Sequence, residues 1–239
     1  MKILSYSETG MVRRNNEDAY LVLEEQGLLA VADGMGGHLA GEVASRTALN
    51  ELARAAASLD GAAAQDMEEW LLQVLAQANR AVYESSNSHP EMEGMGTTLT
   101  ALIVRPPEVL IGHVGDSRAY LWRGDALQTL TDDHSLVGEL LRLGEISEEE
   151  AEKHPKRHML TRAVGAAEEV QADVRRLAAA AGDVFLLCTD GFSNLVSAQE
   201  IAEEFRRQGS WEEHLEHLRQ LVLDRGAPDN FTLLCCVLE

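Results

Sequence analysis

The sequence predicts an α+β fold in which a largely antiparallel sheet system is flanked by helices. Two observations predict it: short aliphatic or β-branched runs bounded by turn residues, and two long segments whose apolar residues recur at helical spacing. The order is strands, two helices, strands, short helices, a strand, two helices and a final strand. Because strand and helix do not alternate strictly, as a parallel sheet requires, an antiparallel arrangement is favoured.

The strands are predicted from short apolar runs. These runs are residues 28–32, 97–104, 109–114, 184–188 and 231–238. Pro106 and Pro107 mark a turn between the second and the third run. Residues 118–123 follow Ser117 and would continue a hairpin with the third run.

The helices are predicted from apolar stripes and capping residues. Residues 40–59 and 67–82 each carry apolar side chains at the spacing of one buried helical face. Capping boxes are expected at Asp66/Glu69, Ser147/Glu150, Ser197/Glu200 and Ser210/Glu213.

The composition is that of a globular protein with a strong negative charge. The 239 residues are enough for one well-packed domain and few for two, so a single domain over residues 1–239 is expected. Forty acidic residues against twenty basic ones give a net charge of −20. A field of that sign repels phosphate backbones, so we expect no nucleic-acid partner.

The cysteines and the apolar runs bear on location. Cys188, Cys235 and Cys236 contain no Cys-x-x-Cys pair, which indicates a reducing compartment and neither a disulfide framework nor a zinc knuckle. The first residues lack the apolar core of a signal peptide, and no apolar run approaches the roughly 18 residues of a membrane span. A cytoplasmic location without membrane insertion is therefore expected.

Acidic residues stand at the ends of apolar runs. Asp33, Asp116 and Asp190 each end one and are followed by a small residue. Asp229 precedes the last run, and residues 17–18 (Glu-Asp) precede another. If the last strand runs antiparallel to those ending at Asp33 and Asp190, all these carboxylates meet at one edge. A single Asp-Gly is ordinarily a turn, but three strand-terminal aspartates are a stronger pattern.

Crowded carboxylates either protonate or bind cations. Oxygen ligands without cysteine suit Mg²⁺ or Mn²⁺ better than Zn²⁺, and two such ions can polarise a water and clamp a phosphoryl group. Gly34 to Gly37 form a glycine-rich stretch that allows close backbone approach. It is not a dinucleotide-binding motif, because Leu39 stands where the last glycine is required.

Three sequence motifs of phosphoryl chemistry are each missing a required residue. A cysteine phosphatase needs an arginine six positions after its cysteine, and Asn194 stands there after Cys188. The Asp-x-Asp of aspartyl-nucleophile phosphatases and the Gly-Lys pair of a P-loop are both missing from the sequence.

Seven stretches in chain order resemble the metal-dependent Ser/Thr protein phosphatases of type 2C, in their compact bacterial form. They are residues 10–18, 31–42, 94–98, 113–118, 133–137, 189–191 and 229–232. Phe231 is a mild departure from the smaller aliphatic residues frequent at its position. The resemblance spans essentially the whole chain. It implies a four-layer α-β-β-α sandwich of two antiparallel sheets, and hydrolysis of phosphoserine and phosphothreonine in proteins by a water that bridges two metal ions.

The resemblance also implies the ligands of two tightly bound Mn²⁺ or Mg²⁺ ions. Asp33 would bridge the ions, and the carbonyl of Gly34 would ligate one of them. Asp190 and Asp229 would hold the other ion.

Further metal contacts follow from the same resemblance. Glu17 and Asp18 would act through metal-bound waters. Asp116, together with Asp190, would form a third and weaker site.

Two residues are implicated in handling the substrate. The resemblance implies that Arg13 grips the phosphate, and a planar, bidentate guanidinium suits that role. The leaving alkoxide needs a proton, for which His38 is one candidate and a metal-bound water the competitor. A structural hydrogen bond is an equally weighted alternative for His38.

The remaining histidines are interpreted as structural. His113 lies inside a predicted strand and is expected in the core. The pairs 154/158 and 214/217 have helical spacing among charged residues and are expected on solvated faces.

Residues 131–165 correspond to the flap of the family, beside the active site. The segment carries a local group of basic residues: Lys153, Lys156, Arg157, His158 and Arg162. The group would either recruit a phosphorylated, acidic substrate segment or serve ordinary charge balance, and we favour the second.

The resemblance is closest to small phosphatases that are paired with bacterial membrane Ser/Thr kinases. It implies a role in signal transduction opposite such a kinase, with phosphorylated proteins as partners, and a monomer is expected. The alternatives are a phosphatase of an anti-sigma antagonist or of a secretion apparatus, and a non-catalytic, signal-binding pseudophosphatase.

Overall fold

Two antiparallel β-sheets lie face to face in the computed structural model, which describes residues 1–37, 40–61 and 67–239. The strands are β1 (Lys2–Glu8), β2 (Asp18–Leu23), β3 (Leu28–Met35), β4 (Gly96–Thr97), β5 (Leu99–Arg105), β6 (Glu108–Val114), β7 (Arg118–Arg123), β8 (Ala126–Thr129), β9 (Asp173–Ala178), β10 (Val184–Cys188) and β11 (Phe231–Val237). One sheet has the order β1-β11-β10-β7-β8. The other has the order β2-β3-β5-β6-β9, with β4 paired to β3.

Helices cover the outer face of each sheet. They are α1 (Ala40–Ala55), α2 (Met67–Ser88), α3 (Leu136–Arg142), α4 (Glu148–Glu152), α5 (Asp190–Ser193), α6 (Ala198–Phe205) and α7 (Trp211–Asp224), with 3-10 turns at Ala56–Gly61 and Pro90–Met92. Helices α1 and α2 pack on the sheet that contains β3, whereas α6 and α7 pack on the sheet that contains β11.

Side-chain alternation along the strands builds three apolar layers. In β3, Leu28 and Ala30 face the helices, whereas Leu29 and Val31 face the opposite sheet. This is the period of two expected for a strand buried on both faces. Phe185 of β10 lies in the same central layer as Leu29, so the two sheets share one core. The four-layer α-β-β-α fold expected from the resemblance is confirmed.

The predicted strands are all present, but one predicted pairing is wrong. Residues 118–123 form β7, which pairs with β10 and β8 in the other sheet and not with β6. Gly115, directly after β6, has a left-handed φ of 114°. That conformation ends the extended run, and the chain crosses to the second sheet through Asp116 and Ser117.

The helix signals are largely confirmed. Capping boxes close the starts of α4, α6 and α7 at the predicted Ser/Glu pairs. The first predicted helix ends earlier than expected, at Ala55, and continues as a 3-10 turn. The box expected at Asp66/Glu69 includes Asp66, which lies outside the described residues. Among the helices of the described ranges, none is long and apolar enough to cross a membrane.

Candidate active site

Asp18 and Asp33 stand directly opposite each other on the paired strands β2 and β3. Directly opposed residues place their side chains on the same face of a sheet, a few ångströms apart. Asp18 also reaches the other sheet, because its Oδ2 accepts hydrogen bonds from the hydroxyls of Thr189 (2.7 Å) and Thr232 (2.8 Å). The two sheets are therefore joined where the acidic residues gather.

Asp18 carries a carboxylate oxygen without a partner. Its Oδ1 is buried and has no hydrogen bond among the described residues. Burial raises the pKa of Asp18 to about 7; the two threonine hydroxyls oppose that rise, and the charges of Asp190 and Asp229 add to it. A buried polar atom is ordinarily satisfied by a donor, a water or an ion, so this oxygen marks a place for one.

Hydrogen bonds between two threonine side chains and the backbone of Asp33 fix the position of this residue. Its N–H donates to the Thr98 hydroxyl at 2.9 Å, and its carbonyl accepts from the Thr97 hydroxyl at 2.9 Å. Burial raises the pKa of Asp33 well above its ordinary value; the charges of Asp18 and Asp190 and a hydrogen bond to Asp190 raise it further. The backbone contacts leave the carboxyl group free to face the other acids.

Asp190 is the first residue of the short helix α5. Its Oδ2 accepts from the Asn194 amide at 3.0 Å. Burial raises the pKa of Asp190, and the charge of Asp229 adds to the rise. The glycine of this Asp-Gly pair has a steric role, because a Cβ on Gly191 would overlap the carbonyl oxygen of Asn230. Only glycine lets β11 come this close to Asp190.

Asn230 fastens the acidic loop before β2 to the start of β11. Its side-chain amide donates to the carbonyls of Thr9 (2.8 Å) and Asn15 (2.9 Å), and its Oδ1 accepts from the N–H of Glu17 (2.9 Å). Sequence analysis gave no role to Asn230, nor to the threonines that hold Asp18 and Asp33. Their presence inside the matching stretches was the signal that could have identified them.

Arg13 lies on the same loop. Its Nη2 donates to Oδ2 of Asp229 at 2.8 Å. Gly10, which has a φ of 76°, packs against the backbone of Asp229, and the N–H of Met11 donates to the Ala227 carbonyl at 2.8 Å. The loop is thus seated on the segment before β11, and Arg13 points a cation at the acidic cluster.

Glu17 and the carbonyl of Gly34 converge on one place. A Cβ on Gly41 would overlap Oε2 of Glu17 and would lie 2.8 Å from the Gly34 oxygen. The Glu17 carbonyl, in turn, accepts from the N–H of Gly34 at 3.1 Å and from the Ser45 hydroxyl at 2.7 Å. Glycine at position 41 therefore keeps open the space in which these oxygens meet.

Asp116 approaches from the end of β6. Burial raises its pKa to about 8, and the charges of Asp190 and Asp133 add to the rise, whereas Arg118 opposes it. Asp133 is itself paired with Arg118 by two hydrogen bonds of 2.9 and 2.7 Å. Asp116 thus shares the electrostatic environment of Asp190.

Residues 131–165 return to the acidic cluster at both ends. The N–H of His134 donates to Gly115, beside Asp116, and Val164 pairs with Thr97, beside Asp33's backbone. His158 acts on Asp190 as a nearby positive charge that lowers its pKa. The segment therefore lies along the rim of the cluster.

The basic group of this segment is only partly neutralised. Lys153 pairs with Glu149 at 2.6 Å, and Arg162 pairs with Asp173 at 2.8 Å. Lys156 and Arg157 are exposed and have no acidic partner within the part of the chain that the structure describes.

The histidines divide into three outcomes. His38 lies outside the described residues. His113 is in the core as predicted: it bonds the Thr100 hydroxyl at 2.9 Å, and burial lowers its pKa to about 4. The prediction of a solvated face is wrong for His214, which is buried and shares the carboxylate of Glu204 with His217.

The donor set fits a hard divalent cation in charge and in atom type. Four buried or half-buried aspartates have raised pKa values, all with burial as the first cause. Bound cations would offset both the free-energy cost of burying these carboxylates in their ionised form and the repulsion between them. Among residues 1–37, 40–61 and 67–239, however, no three acidic, histidine or cysteine side chains are already gathered in a closed ligand set. One oxygen of Asp229 is instead engaged by Arg13.

Solved structures that match this architecture include bacterial serine/threonine phosphatases. The Mycobacterium tuberculosis serine/threonine phosphatase PstP/Ppp superposes with a TM-score of 0.91 at 38% identity, covering 100% of this chain and 98% of that one. A structure of the PstP catalytic domain, described as a complex with two manganese ions, superposes with a TM-score of 0.86 at 37% identity, covering 100% and 98%. The fold and the site therefore define a protein-serine/threonine phosphatase.

Sequence comparison gives the family. The profile described as Protein phosphatase 2C matches residues 12–227. The serine/threonine phosphatase stp of Listeria innocua is 38% identical over 232 residues, which cover 95% of this chain and 92% of that protein. The chain belongs to the protein phosphatase 2C family.

Proposed function

We propose that this phosphatase hydrolyses phosphoserine and phosphothreonine in proteins with water as the attacking group and divalent cations as cofactors. The observation that carries the proposal is the buried Oδ1 of Asp18, which has no hydrogen-bond partner among the described residues and lies on the strand position directly opposite Asp33. Burial raises the pKa values of Asp18, Asp33, Asp116 and Asp190, which is consistent with a site for positive charge. A relative with two manganese ions supports the same choice of cofactor.

The residues proposed to hold the cations come from both sheets. They are Asp33, the carbonyl of Gly34, Asp190 and Asp229 for two ions, with Glu17 and Asp18 behind them and Asp116 with Asp190 for a third, weaker one. When bound, Mn²⁺ or Mg²⁺ would supply Lewis-acid chemistry that activates water and neutralises charge on the phosphoryl oxygens.

Arg13 is proposed to bind the phosphate. Its guanidinium already lies 2.8 Å from one cluster carboxylate, so a phosphate that exchanges for Asp229 would sit against the acidic cluster. A guanidinium can donate two parallel hydrogen bonds to phosphate, which orients the ester for in-line attack.

The leaving alkoxide must be protonated. His38 remains one proposed donor, because imidazole titrates near neutral pH, and water at the site is the other. The dependence of kcat on pH in a His38→Gln variant distinguishes the two donors. If the decrease of kcat at high pH disappears in the variant, His38 is the donor; if the decrease is unchanged, water is the donor.

The cellular role proposed is the reversal of phosphorylation by a bacterial Ser/Thr kinase, in the cytoplasm and as a monomer. Bacterial relatives named serine/threonine phosphatases support it. A second candidate, control of a secretion apparatus, is favoured by PppA of Pseudomonas aeruginosa, described as a regulatory component of a type VI secretion system, at 37% identity and a TM-score of 0.84. An adjacent kinase gene or adjacent secretion genes would distinguish the two.

The catalytic proposal is tested with an aryl phosphate. The purified protein should release phenolate in Mn²⁺ or Mg²⁺ and should be inactive in excess chelator. A protein that binds Mn²⁺ but never turns over would instead be the signal-binding pseudophosphatase.

A further inference from the structure

His134 holds both backbone polar groups of Gly115. Its N–H donates to the Gly115 carbonyl at 2.7 Å, and its ring Nδ1 lies 3.1 Å from the Gly115 nitrogen. Gly115 directly precedes Asp116. One residue of the segment 131–165 therefore engages the turn that presents Asp116 from both sides.

These contacts define the protonation state of the ring. A backbone N–H can only donate, so Nδ1 of His134 must accept and carries no proton. The proton of the neutral ring is therefore on Nε2, which lies 3.1 Å from Oδ2 of Asp173 and donates to it. Oδ1 of Asp173 accepts from Arg162 at 2.8 Å, which fixes the carboxylate in turn. A carboxylate on the far nitrogen is the usual way in which a protein sets a histidine tautomer.

Close packing fixes the orientation of the His134 ring. His134 is fully buried, and its ring lies 4.6 Å, centroid to centroid, from that of His113. Gly115, on the other side of the contact, has a φ of 114° that only glycine adopts readily. A Cβ at Gly115 would also overlap the side chain of Thr98, so no other residue could stiffen this turn.

We infer that His134 is a positioning residue: its unprotonated Nδ1 fixes the Gly115–Asp116 turn and thereby directs the Asp116 carboxylate toward Asp190. The need for a restraint lies in the turn itself, because Gly115 has no side chain to limit its backbone and adopts a φ of 114°. The two hydrogen bonds with His134 supply that restraint on the residue directly before Asp116. The inference rests on the proposed function, since it assigns Asp116 a place in the reaction.

Two substitutions separate positioning from simple core packing. The side-chain oxygen of asparagine occupies the place of Nδ1, whereas the terminal amide of glutamine reaches the place of Nε2. His134→Asn therefore keeps an acceptor for Gly115 and loses the Asp173 contact, whereas His134→Gln keeps the Asp173 contact and loses the acceptor. A packing role would favour glutamine, which is closer to histidine in volume.

We expect His134→Asn to retain most of the wild-type activity and His134→Gln to lose it. His134→Gln should lower kcat for an aryl phosphate in Mn²⁺ about tenfold, the loss expected for one buried hydrogen bond, with KM unchanged. His134→Asn should stay within about threefold of wild type. Equal kcat values in the two variants, or a better glutamine variant, would overturn the inference.

A second readout needs no activity. In metal-free protein, hydrogen exchange of the Gly115 amide should be slow in wild type and His134→Asn and about tenfold faster in His134→Gln. Equal protection in both variants would overturn the inference even if the hydrolysis proposal stood. An inert wild-type protein would remove the proposed function, and the amide exchange would still decide whether His134 fixes the turn. If neither variant folds, ¹⁵N NMR of the wild-type ring decides: a proton on Nε2 is expected, and a proton on Nδ1 contradicts the inference.

Discussion

Arg13 donates to Asp229 across 2.8 Å, which joins the proposed phosphate-binding residue to a proposed metal ligand. The side chain of Arg13 is 56% exposed and that of Asp229 is 41% exposed. An ion pair this open to water contributes little to stability. Its consequence is positional: it holds a guanidinium at the mouth of the acidic cluster, where a phosphate can replace Asp229 as its partner.

Removal of this guanidinium should weaken substrate binding. Arg13→Ala should raise KM for a small phosphate ester by one to two decades, because a charge-assisted hydrogen bond contributes about 1.5–3 kcal/mol. Arg13→Lys should recover only part of the loss, since an ammonium does not bind phosphate bidentately. Steady-state kinetics measures both.

Arg14 is the matched control for this experiment. It is exposed, carries the same charge and is the next residue on the loop. Arg14→Ala should leave KM within about twofold of wild type, since an exposed charge screened by salt acts weakly at a distance. Equal effects at positions 13 and 14 would mean that the loop attracts phosphate only by its overall charge.

Loss of a cluster carboxylate should stop the reaction without unfolding the protein. Asp33→Asn should abolish turnover and, in chelator, raise the melting temperature, because it removes one of several repelling acids. Each kcal/mol gained would appear as about 2–4 °C. The exposed Asp132 is the control, and Asp132→Asn should change neither quantity. A destabilised metal-free Asp33→Asn would contradict the repulsion.

The metal-free protein should lose stability as the pH rises from 6.5 to 8.5. Asp18 and Asp116 have folded pKa values of about 7 and about 8, raised from 3.8, so folding favours their neutral forms. Their stabilising contribution is complete at pH values below 3.8 and is lost as the pH passes 7 to 8. The window begins at 6.5 because His113, with a lowered pKa of about 4, acts in the opposite direction below that pH.

Thermal melts in chelator across this window measure the effect. Mn²⁺ should flatten the slope, since bound cations stabilise the ionised acids, and Asp18→Asn should reduce it without metal. A melting temperature that rises with pH in chelator would mean that burial does not raise the pKa values of Asp18 and Asp116.

Asp116 should separate metal binding from turnover. Asp116 and the already shared Asp190 have little charge to offer, so the third ion that they would hold should bind weakly. Asp116→Ala should therefore keep the two main ions bound. It should lose most activity, because the third site is proposed to take part in turnover. Calorimetric titration with Mn²⁺ and kinetics on the same sample test this. Loss of tight binding would place Asp116 among the main ligands, and wild-type turnover would make its site incidental.

The sequence predicted the elements better than it predicted their pairing. Strand-forming runs depend on local apolar patterning, so β3, β5, β6, β10 and β11 were all found. The partner of β7 depends on the turn at Gly115, whose left-handed φ is not encoded in the apolar pattern. The weakly apolar β8 and β9 gave no clear signal, because their residues are mostly half-buried or exposed.

The acidic cluster was predicted from strand ends, but its supports were not. Asp33 and Asp190 end apolar runs, a pattern that can be read along the chain. Asn230 and the threonines that bond Asp18 act through contacts between residues far apart in sequence, such as Thr189 with Asp18. His214 was misplaced for a similar reason, since its partner Glu204 lies on the preceding helix.

Release of phosphate from a phosphothreonine peptide tests the central claim most directly. We expect turnover by the wild-type protein in Mn²⁺, none in excess chelator, and none by Asp33→Asn or Asp229→Asn under either condition. Undiminished release in chelator, or near-native turnover by either variant in Mn²⁺, would contradict it.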